Sequence, residues 1–233
     1  MKYTSHDFDF DTLFNMKKIL LLLTILFFVL SNVQAQWSSQ TSGTSESLFG
    51  VTFIDASNGW ATGGNGEIIN TSNEGSTWST QTSNTSEGLH DIFFLDASNG
   101  WAVGTSGEIR NTSNGGTTWS GQTSGVSNTL RGVIFTDASN GWICGNNGRV
   151  LNTSNGGSTW STQTSGSSEQ LEDVFFLNSS DGWISGRNGE ILVTSNGGSN
   201  WTAQTSGTSE NIYSICFVDA SNVWACGANG TIL

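Results

Sequence analysis

From residue 37 onward the apolar residues of this chain come in short runs broken by Gly, Asn, Ser and Thr, and the runs recur in step with tryptophan. Trp37, Trp78, Trp119, Trp160 and Trp201 are spaced by 41 residues, and so are Trp60, Trp101, Trp142, Trp183 and Trp224. A helical repeat needs apolar residues at a period near 3.6, which these runs lack. Their shortness and their turn-forming borders are those of β-strands. In the first unit Leu48–Asp55 reads as strand A, Ala56-Ser57-Asn58-Gly59 as a turn, and Trp60–Gly63 as strand B. Asn65-Gly66 forms a second turn before strand C at Glu67–Thr71, and Trp78–Ser83 is strand D. Asn and Gly tolerate the positive φ that such turns demand.

Four short antiparallel strands per unit predict an all-β fold in which each repeat is one β-propeller blade, with a solenoid of the same strands as the alternative. The repeat region, 36–233, holds five units at about 37–77, 78–118, 119–159, 160–200 and 201–233, the last incomplete. A lone strand D at Trp37–Ser42 opens the series, and Thr231-Ile232-Leu233 ends it within strand C. If that first strand completes the last blade, five blades close with no unpaired edge. The abrupt end within strand C points instead to a truncated, larger propeller.

Residues 16–35 read as a secretory signal peptide: Lys17 and Lys18, an apolar run over Ile19–Leu30, then Val33 and Ala35 at a small-residue cleavage pattern. The apolar run falls short of the roughly 20 residues of a membrane span, so no span is expected after cleavage. Residues 1–15 precede a better start at Met16 and read as a mis-assigned extension. The protein is therefore expected outside the cytoplasm: secreted, periplasmic or at the cell surface. The charge of −12 survives cleavage, because the remainder holds four Arg and no Lys. So few cations cannot neutralise a row of phosphates, which excludes nucleic acid as a partner. With 11% aromatic residues the chain can offset the entropy of ordering and build a core.

The segment Thr71-Ser72-Asn73-Glu74-Gly75-Ser76-Thr77-Trp78 matches the Asp-box (BNR) pattern of sialidase-like propellers, and it recurs ending at Trp119, Trp160 and Trp201. Preceded by Gly59-Trp60-Ala61-Thr62-Gly63 and Asn65-Gly66-Glu67-Ile68, it most resembles the propeller family of photosystem II assembly and stability factors. The box Asp is replaced by Asn73, Asn114, Asn155 and Asn196. Asn still forms the local hydrogen bonds that close a turn, while any role for the charge is weakened. The resemblance implies that the box, with Gly75, Gly116, Gly157 and Gly198, is a structural turn between strands C and D. It also implies a scaffold that assists a membrane complex.

Comparing the copies separates what every blade needs from what each leaves free. Both tryptophan sets are invariant, as residues packed between blades must be; exposed sugar-stacking platforms are the other reading. One position is instead Phe49, His90, Arg131, Glu172 and Tyr213, and the next is Gly50, Asp91, Gly132, Asp173 and Ser214. These residues open strand A on the expected rim. The nearby loop contributes Glu46, Glu87, Asn128, Glu169 and Glu210, and the B–C turn Glu67, Glu108, Arg149 and Glu190. Phe49, His90, Asp91, Arg131, Glu172, Asp173 and Tyr213 are thus candidates for a ligand-facing rim, against drift at solvent-exposed positions. The ligand expected on that face is a protein or a glycan.

A sialidase set of clustered arginines and a tyrosine nucleophile has no counterpart among four scattered Arg and the one tyrosine of the repeat region, Tyr213. No catalytic, cofactor or metal site is expected. Asp91 and Asp173 facing each other across a channel would suit a glycoside hydrolase, which stands as the enzymatic alternative. A segment of a larger adhesin-like surface protein is the third reading. Cys216 and Cys226 are expected opposite each other across the A–B hairpin, either as a disulfide or as two small buried residues.

Overall fold

The computed structural model describes residues 37–219 and 222–233. The leader, 16–35, and the extension before it lie outside the described residues. The chain divides into two units, Met1–Ser39 and Gln40–Leu233. Residues 37–39 of the first carry no regular secondary structure, and all that follows concerns the second.

There the strands form antiparallel meanders, each in chain order from first strand to last. The first sheet is β1 (Leu48–Phe53), β2 (Gly59–Gly63), β3 (Ile68–Thr71) and β4 (Ser79–Gln81). The second is β5 (Leu89–Phe94), β6 (Gly100–Gly104), β7 (Ile109–Thr112) and β8 (Ser120–Gln122). The third is β9 (Leu130–Phe135), β10 (Gly141–Gly145), β11 (Arg149–Thr153) and β12 (Ser161–Thr164). The fourth is β13 (Leu171–Phe176), β14 (Gly182–Gly186), β15 (Ile191–Thr194) and β16 (Thr202–Ala203). The fifth is the pair β17 (Ile212–Asp219) and β18 (Asn222–Gly227). First strands of successive sheets pack side by side, β1 on β5, β5 on β9, β9 on β13 and β13 on β17. These are propeller blades, each beginning at its inner strand.

One interface recurs between neighbouring blades. The Trp60 indole stacks on Phe94 at 3.7 Å, and Trp119, which ends the next box, meets the same ring edge-on. Trp101, Phe135 and Trp160 repeat the arrangement, as do Trp142, Phe176 and Trp201. Polar groups lock the same seam. Trp60 Nε1 donates to the Gly115 carbonyl at 3.2 Å, Gln81 Nε2 donates to that carbonyl at 3.0 Å, and Trp119 Nε1 donates to Gln81 Oε1 at 3.0 Å. Within each box the asparagine closes the turn: Asn114 Oδ1 accepts from Thr112 Oγ1 and the Thr118 N–H, and Thr112 Oγ1 accepts from the Gly116 N–H. Asn73, Asn155 and Asn196 do likewise. The box is thus both a turn and the dock for the preceding blade. Its asparagine needs no charge for either task.

Three expectations change. Trp37–Ser42 forms no strand. The carboxy-terminal residues run along β18, as the expected strand C does, with Leu233 and Ala225 exchanging N–H···O=C bonds of 2.9 and 3.0 Å. Among the described residues no ladder joins the first sheet to the fifth, and Phe53 and Trp224 are 46% and 54% exposed on the two outer faces. Trp224 is therefore not packed between blades as its counterparts are. Finally, Cys216 pairs with Trp224 and Cys226 with Ser214, and both thiols are free and exposed. The β17–β18 register runs through Ser214↔Cys226, Ile215↔Ala225 and Cys216↔Trp224, two residues out from the expected pairing, with an irregularity between Phe217 and Asp219 near the turn. The two cysteines are consequently diagonal neighbours, whose Cα separation of about 7–8 Å exceeds the reach of a disulfide.

Candidate functional site

The inner strands share an irregularity that periodicity does not reveal. In β1 the ladder to β2 skips from Leu48 to Gly50, and in β5, β13 and β17 it skips from Leu89 to Asp91, Leu171 to Asp173 and Ile212 to Ser214. In β9 it skips from Leu130 to Gly132. The residue passed over is Phe49, His90, Arg131, Glu172 or Tyr213, the position at which the five copies disagree. A β-bulge leaves its extra residue out of the pairing and re-aims its side chain. Here the five side chains come together on one cavity of about 620 Å³, which Asp91, Asp173 and Ser214 also line. All seven candidate residues therefore meet, though on the inner strands around a central cavity rather than on rim loops.

Along the wall the bulge residues touch one another. Phe49 stacks on His90 with ring centres 5.2 Å apart. Arg131 donates from Nε to Asn146 Oδ1 at 2.7 Å and pairs through Nη1 with Glu172 at 3.4 Å. Glu172 also pairs with Arg187 at 3.0 Å and accepts from Gln170 at 2.6 Å. Burial, then the positive charge of Arg131, lowers the pKa of His90, which favours its neutral form. Tyr213 closes the series, half exposed.

One layer deeper, the alternation of Gly and Asp acquires a structural meaning. Asp91 accepts the Val133 N–H of the next blade at 2.8 Å, and Asp173 accepts the Ile215 N–H at 3.0 Å and the Ser214 hydroxyl at 2.9 Å. Between them, neighbouring backbones approach closely: a Cβ on Gly50 would lie 3.0 Å from Asp91 Cα, and one on Gly132 3.2 Å from the Val174 nitrogen, so a side chain there would crowd the next blade. The five blades thus meet by close backbone contact and by carboxylate bridge in turn. Burial, then the charge of Asp173, raises the Asp91 pKa from 3.8 to about 7. Burial raises that of Asp173 as well. Neither carboxylate is paired with a cation among the described residues.

The remaining acids divide by role. Glu46, Glu87, Glu169 and Glu210 each accept from the B–C turn of their own blade, through Asn65, Ser106, Asn188 and Asn229. They pin the turn. Asn128, at the same position, accepts from Arg149. Among the described residues no group of three or more His, Cys, Asp or Glu has the arrangement to hold a metal ion, and no helix is long and apolar enough to cross a membrane.

The family model of the photosynthesis system II assembly factor YCF48 matches residues 80–161, 123–203 and 164–233. The chain belongs to this family. No curated protein sequence matches it. Among solved structures, YCF48 bound to D1 peptide is 16% identical with a TM-score of 0.51, over 86% of this chain and 97% of that one. A GH74 enzyme of Niastella koreensis is 20% identical with a TM-score of 0.61, over 76% of this chain and 34% of that one. The WD40 β-propeller domain of Doa1 is 13% identical with a TM-score of 0.64, over 81% of this chain and 64% of that one. At these identities the structural likenesses show the fold alone. Within a YCF48-family propeller, the cavity is built from the positions at which this chain's own blades differ.

Proposed function

We propose that this YCF48-family protein is an exported, non-enzymatic scaffold that captures a segment of a client protein in the central cavity. The observation that carries the reading is the convergence of the five bulge residues on one cavity, each of a different chemical type on an otherwise repeated frame. A rigid frame with a diversified mouth suits recognition, because the invariant indole, glutamine and box contacts hold the wall in place while it varies. A family member solved with a peptide, YCF48 bound to D1 peptide, supports a protein ligand over a glycan. The two carboxylates that a hydrolase would need, Asp91 and Asp173, are each engaged by backbone N–H groups of the next blade, which suits bracing better than proton transfer. The leader at 16–35 supports export.

The test is photo-crosslinking from the cavity in the source cell. Benzoylphenylalanine in place of Phe49 or Tyr213 is expected to yield an adduct mapping to one defined segment of one protein. The same probe at Ser76, on an exposed box turn, is the control. Equal labelling from Ser76, or no adduct from the cavity, would remove the reading. Hydrolysis of a β-glucan or sialoside panel, lost in Asp91→Asn or Asp173→Asn, would replace it with the enzymatic one.

A further inference from the structure

We propose that the captured segment presents a cationic side chain, lysine or arginine, flanked by apolar residues, and that Asp91 and Asp173 are the groups that recognise the cation. The proposal rests on the client-segment reading above and adds the chemistry of the occupant.

The cavity wall divides into two kinds of surface. Leu48, Phe49 and Val51 expose apolar area on the first blade, with Val51 67% exposed, and the Phe49 ring is backed by the half-buried His90 ring. The following blades add Asp91, Asp173 and Glu172 with a single arginine, Arg131. That arginine is held by Asn146 and Glu172, so its charge is spent within the wall. Glu172 is in turn matched by Arg131 and Arg187. What remains uncompensated is the pair Asp91 and Asp173. A partly desolvated carboxylate without a counter-ion is an unfavourable arrangement that a ligand cation relieves, forming a charge-assisted hydrogen bond in a site of lowered dielectric.

The surroundings favour an organic cation over a bare ion. Phe49 and Tyr213 offer aromatic faces at the mouth, against which the methylene stem of lysine or the guanidinium plane of arginine packs. A cavity of about 620 Å³ has room for such a side chain together with its neighbours. The net charge of −12 on the whole chain attracts cationic segments at long range.

The experiment is isothermal titration calorimetry at pH 8 and low salt with three synthetic peptides: acetyl-Gly-Leu-Lys-Leu-Gly-amide and its glutamine and glutamate counterparts. The lysine peptide is expected to bind about tenfold more tightly than the glutamine peptide, with the glutamate peptide weakest, as charge complementarity orders them. The double variant Asp91→Asn/Asp173→Asn keeps the acceptors for Val133 and Ile215 and is expected to reduce the ratio of lysine- to glutamine-peptide affinity to about twofold or less. Should the double variant lose its circular dichroism spectrum, the single Asp91→Asn variant carries the test with a partial loss. Equal binding of lysine and glutamine peptides, sensitive to Phe49→Ala, would overturn the cation while leaving client capture intact. A lysine preference that survives the double variant would assign it to the general field of the protein and overturn the role of the two aspartates. Binding of none of the three would overturn the cation proposal, and crosslinking from the cavity would still decide client capture independently.

Discussion

Asp91→Asn is expected to remove a pH dependence of stability that the wild-type protein carries. The Asp91 carboxyl titrates near 3.8 when unfolded and near 7 when folded. Between those values the folded state binds the proton that the unfolded state has released, so stability falls as pH rises through that window and levels off above it. The shift is about three units, which at 1.36 kcal/mol per unit sets an upper bound of about 4 kcal/mol. Asp91 is only partly buried in the cavity wall, and discounting for solvent screening leaves about 2 kcal/mol. Asparagine keeps the acceptor for the Val133 N–H and carries no charge to desolvate. The assay is thermal unfolding of both proteins from pH 5 to pH 8. Asp55, Asp96 and Asp137 have pKa values lowered by their turn hydrogen bonds. Their contribution is fully present above the unfolded value and so is constant in this range. About two of the three units lie between pH 5 and pH 8, so about 1.3 kcal/mol is read out there, and relative to wild type the variant is expected to gain about 3–5 °C in Tm on going from pH 5 to pH 8. Parallel curves with no divergence would show that Asp91 is ionised at no cost and refute the reasoning.

Trp101→Ala removes the indole stacked on Phe135 between the second and third blades and is expected to cost about 3–5 kcal/mol by denaturant unfolding, whereas Trp224→Ala, at an exposed position, should cost under about 1 kcal/mol. Asn114→Ala opens a box turn and should cost about 1–2 kcal/mol, while Asn114→Asp should be nearly neutral, since the Thr118 N–H needs only an acceptor. Thiol titration should find Cys216 and Cys226 reactive in the native protein and the buried Cys144 only after denaturation; a native protein with no accessible thiol would contradict the hairpin register.

The blades were legible because turn residues and tryptophans recur with the frame they build. Strand ends were displaced by one or two residues where a side chain decides the turn, as Asp55 does by capping Ser57 and Asn58. In the fifth blade an irregularity between Phe217 and Asp219 sets a register that puts Trp224, not Cys226, opposite Cys216. The bulge was not legible: it is a property of pairing between strands, and Phe49 looks like any strand residue until its partner is known. The position itself was nevertheless visible as disagreement among copies. The Gly50, Asp91, Gly132, Asp173 pattern was also visible, but as variation. That it alternates close backbone approach with a carboxylate bridge depends on distances between blades, and these no single blade contains. The role of Glu46 and Glu87 was not legible, because their partners, Asn65 and Ser106, sit on a turn 19 residues later.

Client capture by the cavity is tested most directly by amide chemical-shift mapping with the segment identified by crosslinking, added as a synthetic peptide to the isotope-labelled protein. Perturbations are expected to cluster at Phe49, His90, Asp91, Arg131, Glu172 and Tyr213. Perturbations centred on the box turns ending at Trp78, Trp119, Trp160 and Trp201, with the bulge residues unmoved, would contradict it.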